Sequence, residues 1–482
     1  MPNELMALCQ ALPHATILGF GMALAQSSVD LDIVAEVMPP PMRTGLLISM
    51  GSLGDRKGHR KLLLIGSLGF TLVSVMTAYS STATQLVVGR ACMGVFGAML
   101  MPSTLALIRS VFEDREERRL AVAIWATTLT VGSALGPLVG GILLEFFSWG
   151  SIFLLAVPVL VPLLILGLWL LPESEPDASG PMDVISIALS MVALSALVYS
   201  IKHVASEGPD AWALAVLAVA IVSGWQFVRR QLRLPTPLMD LSLFRNKTFS
   251  GSVTINLMSL AFMIGFVFFA TQLLQIVLGM SPLNASLALI PGQLMAIVVG
   301  ILIVPVAQRV SVNVLIPILL AFTAGAFLLV SLGSSLTVIV VAFALLNIGV
   351  GAIATVSNDV ILSAAPANKA GAASAISETA YEVGVVLGTT VLGGLVTAYY
   401  RGTLHLPDFL SPMQMQLASE TLAGAHAISA TLAHDQASEV MGNAIQAFVG
   451  GTQLMAWATF SLAVLAIVIA RRTLKGQETA PV

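Results

Sequence analysis

Three carboxylates set in apolar surroundings are the side chains whose chemistry most needs a role. Asp359 lies in Val-Ser-Asn-Asp-Val, and Glu378 and Glu382 lie in Ser-Glu-Thr-Ala-Tyr-Glu. Glu378 and Glu382 are four residues apart and so share one face of a helix. With the turn between the two helices centred near Asn368, Asp359 and Glu378 fall at depths of roughly 10–15 Å on adjacent antiparallel helices. Carboxylates held at membrane depth are costly and generally functional. A carboxyl withdrawn from water keeps its proton more readily, so a proton and a positively charged guest can compete for the same group. The plain alternative is that all three line a hydrated cytoplasmic vestibule. Tyr381, Trp125 and Phe262 are aromatic faces available to a cation, or else packed or lipid-facing.

A fourth charge, Arg90, sits in Leu-Val-Val-Gly-Arg-Ala-Cys-Met-Gly. An arginine inside a span costs about 3 kcal/mol or more and therefore faces a cavity or a partner. Near a helix end it can instead snorkel to the interface. Two glycine-bearing stretches accompany it. Gly51-Ser-Leu-Gly54-Asp55-Arg56-Lys57-Gly58-His59-Arg60-Lys61 reads as a tight turn between spans, with glycine supplying positive φ and Asp55 able to pair among basic neighbours. Gly132-Ser-Ala-Leu-Gly136-Pro137-Leu-Val-Gly140-Gly141 has small residues four apart, which let helices approach closely, and a proline that frees a backbone carbonyl.

The elements that must position these residues follow from composition. Of 482 residues, 57% are hydrophobic and only 10% charged, against about 25% charged in a soluble domain. Such a chain cannot clothe its surface in polar groups, so the fold class is an all-α polytopic membrane protein. A net charge of -3 leaves no nucleic-acid footprint. Cys9 and Cys92 make neither a disulfide framework nor a metal spacing, and no metal or other cofactor is expected. A spanning helix needs roughly 20 apolar residues. Twelve such stretches recur, near 62–80, 84–108, 120–145, 150–171, 184–202, 210–228, 249–279, 283–307, 312–332, 335–363, 370–400 and 449–470. The basic residues alternate in register with them: 18 of 22 Lys and Arg fall on one side, which is therefore cytoplasmic. The acidic linker 172–183 and the basic linker 229–248 bracket a two-helix hairpin, and residues 401–448 form a long polar external segment.

The full glycine and charge spacing of 51–61 resembles the loop between the second and third helices of the major facilitator superfamily, GxLaDrxGrkxxl. Residues 86–97 resemble its fourth-helix motif, whose arginine is implicated in proton coupling, which gives Arg90 that role by resemblance. Residues 132–141 resemble the fifth-helix gxxxGPxxGG signature of its antiporters. With GLLISMGSLGDRKGHRKLLLIG, VFGAMLMPSTLALIR, GSALGPLVGGILLE and GAASAISETAYEVG, the chain resembles, over about residues 45–475, the fourteen-helix drug:proton antiporters of the QacA, SmvA and LfrA type. The resemblance implies two six-helix bundles, 45–171 and 249–475, with the insertion and its linkers at 172–248 and a tail at 476–482. It also implies alternating access about a central cavity, protons and lipid as partners, and a monomer. The implied substrates are quaternary ammonium compounds, dyes, biguanides and fluoroquinolones. Residues 1–44 depart from the pattern: Pro39-Pro40-Pro41 would break the second helix, and Asp30, Asp32 and Glu36 make 26–44 a poor span. A frameshift, a misplaced start or a truncation would explain this.

An enzyme is not expected, because no nucleophile–base pair, zinc motif or P-loop occurs, and the last absence leaves the proton gradient as the driving force. The competing expectations are a narrower metabolite or tetracycline exporter on the same fold and a non-transporting product. The acidic groups favour cations and so multidrug export. The expected location is the bacterial plasma membrane.

Overall fold

The computed structural model describes residues 50, 53–54, 57–111, 121, 132, 136, 138–171, 183–234, 237, 239–307, 309–365 and 370–474. Residues 1–44, Gly51, Asp55, Arg56, Trp125, Pro137, Asn368 and most of the acidic linker lie outside that set.

Every regular element among the described residues is a helix. In chain order they are α1 (His59–Ala78), α2 (Ala83–Val111), α3 (Val157–Leu170, preceded by the one-turn helix Ser151–Leu154), α4 (Val184–Glu207), α5 (Ala211–Gln231), α6 (Lys247–Gln272), α7 (Pro282–Ala307), α8 (Val312–Leu332), α9 (Leu336–Ala364), α10 (Ala370–Leu387), α11 (Gly394–Thr403), α12 (Pro412–Glu420), α13 (Leu422–Ser429) and α14 (His434–Thr473). Ten helical stretches among the described residues are long and apolar enough to cross a membrane. A bilayer has no water to satisfy free backbone groups, so a chain this apolar must close its hydrogen bonds within each helix. For the same reason Pro162, Pro291, Pro305 and Pro317 sit inside helices that a soluble protein would break there.

Polar side chains mark the helix starts. Asp210 accepts from the Ala213 N–H at 2.7 Å, Asn246 from Thr248 at 2.9 Å, and Ser335 from Val338 at 3.4 Å. Each occupies the N-cap position, where orphan N–H groups need an acceptor.

Two compact units divide the chain, Met1–Val192 and Ala193–Val482, with the boundary inside α4. In the first, α1 packs on α2 and α3 around Leu63, Phe70, Met93, Leu107 and Phe153. In the second, α6 packs on α9, α10 and α14, α9 on α7 and α8, and α8 on α14. An aromatic cluster fills its centre: Phe262, Phe266, Phe269, Phe327 and Phe343 are all essentially buried, with Phe266 and Phe343 stacked at 5.5 Å. Phe262 is thus a packing residue edge-on to Phe327, and the cation-facing alternative for it is set aside. The insertion hairpin buries far less. On α5 only Ala213, Ala220, Ser223 and Gln231 are inside, while Trp212, Leu214, Ile221 and Trp225 are exposed, as a lipid-facing helix requires.

The polar segment 401–448 is helical over most of its length. Ser411 and Gln414 form a reciprocal capping box that opens α12, and Thr421 caps α13. The last helix begins at His434, 15 residues ahead of its apolar run, and its 40 residues span about 60 Å, roughly twice a bilayer core. Hydropathy locates the apolar part of that helix, but its polar first part carries no such signal. Tyr400 is buried, and its hydroxyl donates to the Ala418 carbonyl at 2.9 Å, which fastens α12 to the end of α11.

Candidate functional site

The carboxylate-bearing helices α9 and α10 meet each other and α6 in the second unit. Their approach is set by glycine. A Cβ at Gly384 on α10 would lie 2.6 Å from the Leu257 carbonyl oxygen, and one at Gly388, just past the end of α10, would lie 2.5 Å from that of Ala261. This GxxxG spacing lets the α6 and α10 backbones touch. The second of these glycines opens the π-helical turn Gly388–Gly393, an extra residue in the turn that re-aims the side chains on either side. A second π-helical turn, Leu273–Val277, ends α6.

A hydrogen-bonded cluster of side chains lies on this three-helix seam. Asn256 of α6 donates from Nδ2 to Asn358 Oδ1 and to Ser377 Oγ, both at 3.2 Å. Ser377 Oγ donates to Asn358 Oδ1 at 2.6 Å, and Asn358 Nδ2 donates to the Tyr381 hydroxyl at 3.1 Å. Asn256 is 1% and Ser377 4% exposed. Ser357 donates to the Ser252 carbonyl at 3.0 Å and Asn246 to the Ala364 carbonyl at 3.1 Å, so α6 and α9 are stitched at two more heights. Amide orientations here follow from the best-bonded arrangement.

Each carboxylate follows a member of that cluster in sequence: Asp359 after Asn358, Glu378 after Ser377, Glu382 after Tyr381. Asp359 and Glu378 are exposed, whereas Glu382 is only 7% exposed. Among the described residues no cationic side chain pairs with any of the three. A buried carboxylate without a cation is expensive when ionised. Such a group is a candidate contact for a positively charged guest.

The remaining sites lie in the first unit. Gly58 has φ of 92°, a conformation only glycine adopts freely, and it precedes the first turn of α1. Arg60 donates from Nη2 to the Leu168 carbonyl at 2.6 Å, tying the start of α1 to the end of α3. A Cβ at Gly54 would collide with the His59 ring, so this loop is closed tightly. Gly132, Gly136, Gly140 and Gly141 are all buried, consistent with a close-packed helix face. Arg90 is partly buried, and its guanidinium lies 6.0 Å from the centroid of the Phe153 ring, within cation–π range. Cys92 is a free, partly buried thiol.

The cluster residues Asn256, Asn358 and Ser377 were not singled out in the sequence. Their only signal is that amides and a hydroxyl recur within apolar spans, and Ser or Asn in a span is common enough to carry little weight alone.

The comparisons with known proteins bear on all of this. The profile of the Major Facilitator Superfamily matches residues 44–389. The chain is 49% identical over 409 residues to "Multidrug efflux pump LfrA" of Mycolicibacterium smegmatis, covering 84% of this chain and 81% of that one. It is 30% identical over 441 residues to "Methyl viologen resistance protein SmvA" of Salmonella typhimurium, covering 90% and 89%. The crystal structure of a bacterial homologue of the human lysosomal transporter Spinster, inward-facing and unoccupied, superposes with a TM-score of 0.63 over the full length of both chains at 15% identity, a likeness of fold. A matched profile over most of the chain, relatives aligned nearly end to end and the shared helical fold agree: this multi-pass membrane protein belongs to the Major Facilitator Superfamily and is a transporter rather than an enzyme.

Proposed function

We propose that the chain exports cationic and amphipathic drugs in exchange for protons, by alternating access across the bacterial plasma membrane, with its basic loops cytoplasmic. The substrate class is quaternary ammonium compounds, dyes, biguanides and fluoroquinolones. The observation that carries this reading is Glu382, a carboxylate 7% exposed on a helix that also bears Glu378 and packs against the helix bearing Asp359, with no cationic partner among the described residues. One proton or one guest cation neutralises such a group, and each arrival favours departure of the other. The similarity to a multidrug efflux pump and a methyl viologen resistance protein supports drug export and a cationic guest. Arg90 is assigned to proton coupling. The 51–61 loop, with Gly51, Asp55, Arg56, Gly58 and Arg60, is assigned to gating, and the glycine face Gly132–Gly141 with Pro137 to the antiporter helix. The bundles are taken as 45–171 and 249–475, working as a monomer.

The test is ethidium efflux from a pump-deficient host. Expression is expected to speed efflux, a protonophore to abolish the gain, and Asp359→Asn to reduce it by 10-fold or so, as removal of one charged contact worth about 1.4 kcal/mol or more would. Equal dye retention with and without the protein would overturn the reading.

A further inference from the structure

The side-chain cluster of Asn256, Asn358, Ser377 and Tyr381 has a direction and an open end. Ser377 gives its hydrogen to Asn358 Oδ1, and Asn358 Nδ2 gives a hydrogen to the Tyr381 oxygen. Tyr381 therefore accepts, and its own O–H is left to donate. It lies one residue before Glu382 and three after Glu378. At the other end Asn256 Oδ1 is buried in a residue 1% exposed and has no donor among the described residues, although both hydrogen bonds from its Nδ2 are made. An acceptor stranded this way is costly and rare. The cluster is one donor short at α6 and has one donor to offer at α10.

We propose that Asn256, Asn358, Ser377 and Tyr381 form a positioning network that fixes the carboxylate of α9 relative to the two of α10 and shifts with their protonation. The inference rests on the export reading above and goes beyond it by assigning four neutral residues to the coupling. An ionised carboxylate can take the Tyr381 hydrogen, whereas a protonated one brings a hydrogen of its own, so the two states favour different arrangements of the same four side chains. Interacting side chains in a low-dielectric interior polarise one another, which carries the change from α10 to α9 and α6.

Among the described residues, the charged and titratable groups on the helices of the network and on those packed against α6 are Asp359 on α9, Glu378, Tyr381 and Glu382 on α10, Lys247 at the first residue of α6, Asp240 and Arg245 at the turn before it, and on α14 His434, Asp435 and Glu439 at its start and the exposed Arg471 and Arg472 at its end. Helices α7 and α8, the other partners of α9, carry none. The four neutral residues are positioning residues: they set where the carboxylates stand and are not assigned contact with the drug.

The experiment uses the purified full chain in phosphatidylethanolamine–phosphatidylglycerol vesicles, with tetraphenylphosphonium as the transported probe and transport measured across pH. Ser377→Ala, Asn256→Ser and Tyr381→Phe are each expected to move the midpoint of the pH profile by about 0.5 unit or more, a three-fold change in proton occupancy, with the detergent unfolding midpoint close to wild type. Ser377→Thr retains the hydroxyl and is expected to keep the wild-type midpoint. A rate lowered equally at every pH with an unmoved midpoint would assign the network to packing and overturn the proposal. A variant that fails to fold leaves the Ser377→Ala and Ser377→Thr pair to decide. Should the wild type itself fail to move the probe against a proton gradient, the export reading falls and takes this inference with it. A wild type that transports beside variants with its own midpoint removes this inference alone.

Discussion

At the scale of single residues, the same carboxylate chemistry takes opposite meanings at the centre and at the edge of the molecule. Asp210 lies in the turn between α4 and α5, outside the spanning segments. The Ala213 N–H beside it holds its carboxyl below the usual carboxylate range. Burial opposes that shift, and the hydrogen bond and charge of His203 add to it, with His203 Nε2 3.2 Å from Asp210 Oδ2. Tyr199 stacks on His203 and accepts from Trp212 Nε1 at 3.1 Å, so the turn is closed by side chains from both arms. The folded value lies below the unfolded one. The contribution of the group is therefore complete above the unfolded value, near pH 4, and is lost as pH falls through the folded value. Amide exchange of the first turn of α5, taken relative to intrinsic rates, is expected to accelerate below about pH 4. Asp210→Asn keeps a good cap without the charge and is expected to flatten that dependence. An unchanged acid dependence in Asp210→Asn would mean that another group governs the turn.

Elements are placed here by what they lack as much as by what they bear. Oil-like lipid gives no hydrophobic reward for bringing apolar helices together, so close contact depends on small residues and on polar bonds between helices. The seam of α6 with α10 uses both, Gly384 and Gly388 for approach and the Asn256 bonds for register. A side chain at Gly388 must push against backbone, which cannot swing aside as a flexible side chain does. Gly388→Val is expected to destabilise the chain by about 2–3 kcal/mol through overpacking, read as a lowered unfolding midpoint in detergent. At Gly442, where an added Cβ meets nothing within 4 Å, the same substitution is expected to have little effect beyond helix propensity. Equal losses at the two positions would contradict the seam. The alternation of basic and apolar segments made the helices themselves legible: α8 runs Val312–Leu332, the limits its apolar run gives. The seam was not legible, because Gly384 and Gly388 are two among 40 glycines, and spacing alone does not say which backbone lies opposite.

For the whole molecule, orientation is the property that charge decides. Lys and Arg near span ends resist translocation, so the side rich in them stays in the cytoplasm. On the proposed orientation, Arg233, in the linker after α5, lies inside the cell and Thr431, just before α14, outside. With Cys9 and Cys92 replaced, Thr431→Cys is expected to react with a membrane-impermeant maleimide in intact cells, and Arg233→Cys only after permeabilisation. The reverse pattern would invert the topology and with it the direction of export. The short helices α12 and α13 bear on such labelling too, since Thr431 donates to the Ile428 carbonyl at 2.7 Å and sits at the edge of a built structure rather than in a slack loop.

Sequence alone determined that the chain spans a membrane, since 10% charged residues cannot coat a soluble body, and it determined where most helices run, since the bilayer imposes a fixed length of apolar residues on each. Its motifs were specific enough to reach the superfamily. Tertiary structure decided the rest. It made Phe262 a packing residue, gave the polar stretch after Thr403 a helical form, and joined Asn256, Asn358, Ser377 and Tyr381 beside the three carboxylates. The physical reason is range. Hydropathy and capping act between near neighbours in the chain, whereas a bond between Asn256 and Ser377 links residues 121 positions apart and exists only once three helices have packed.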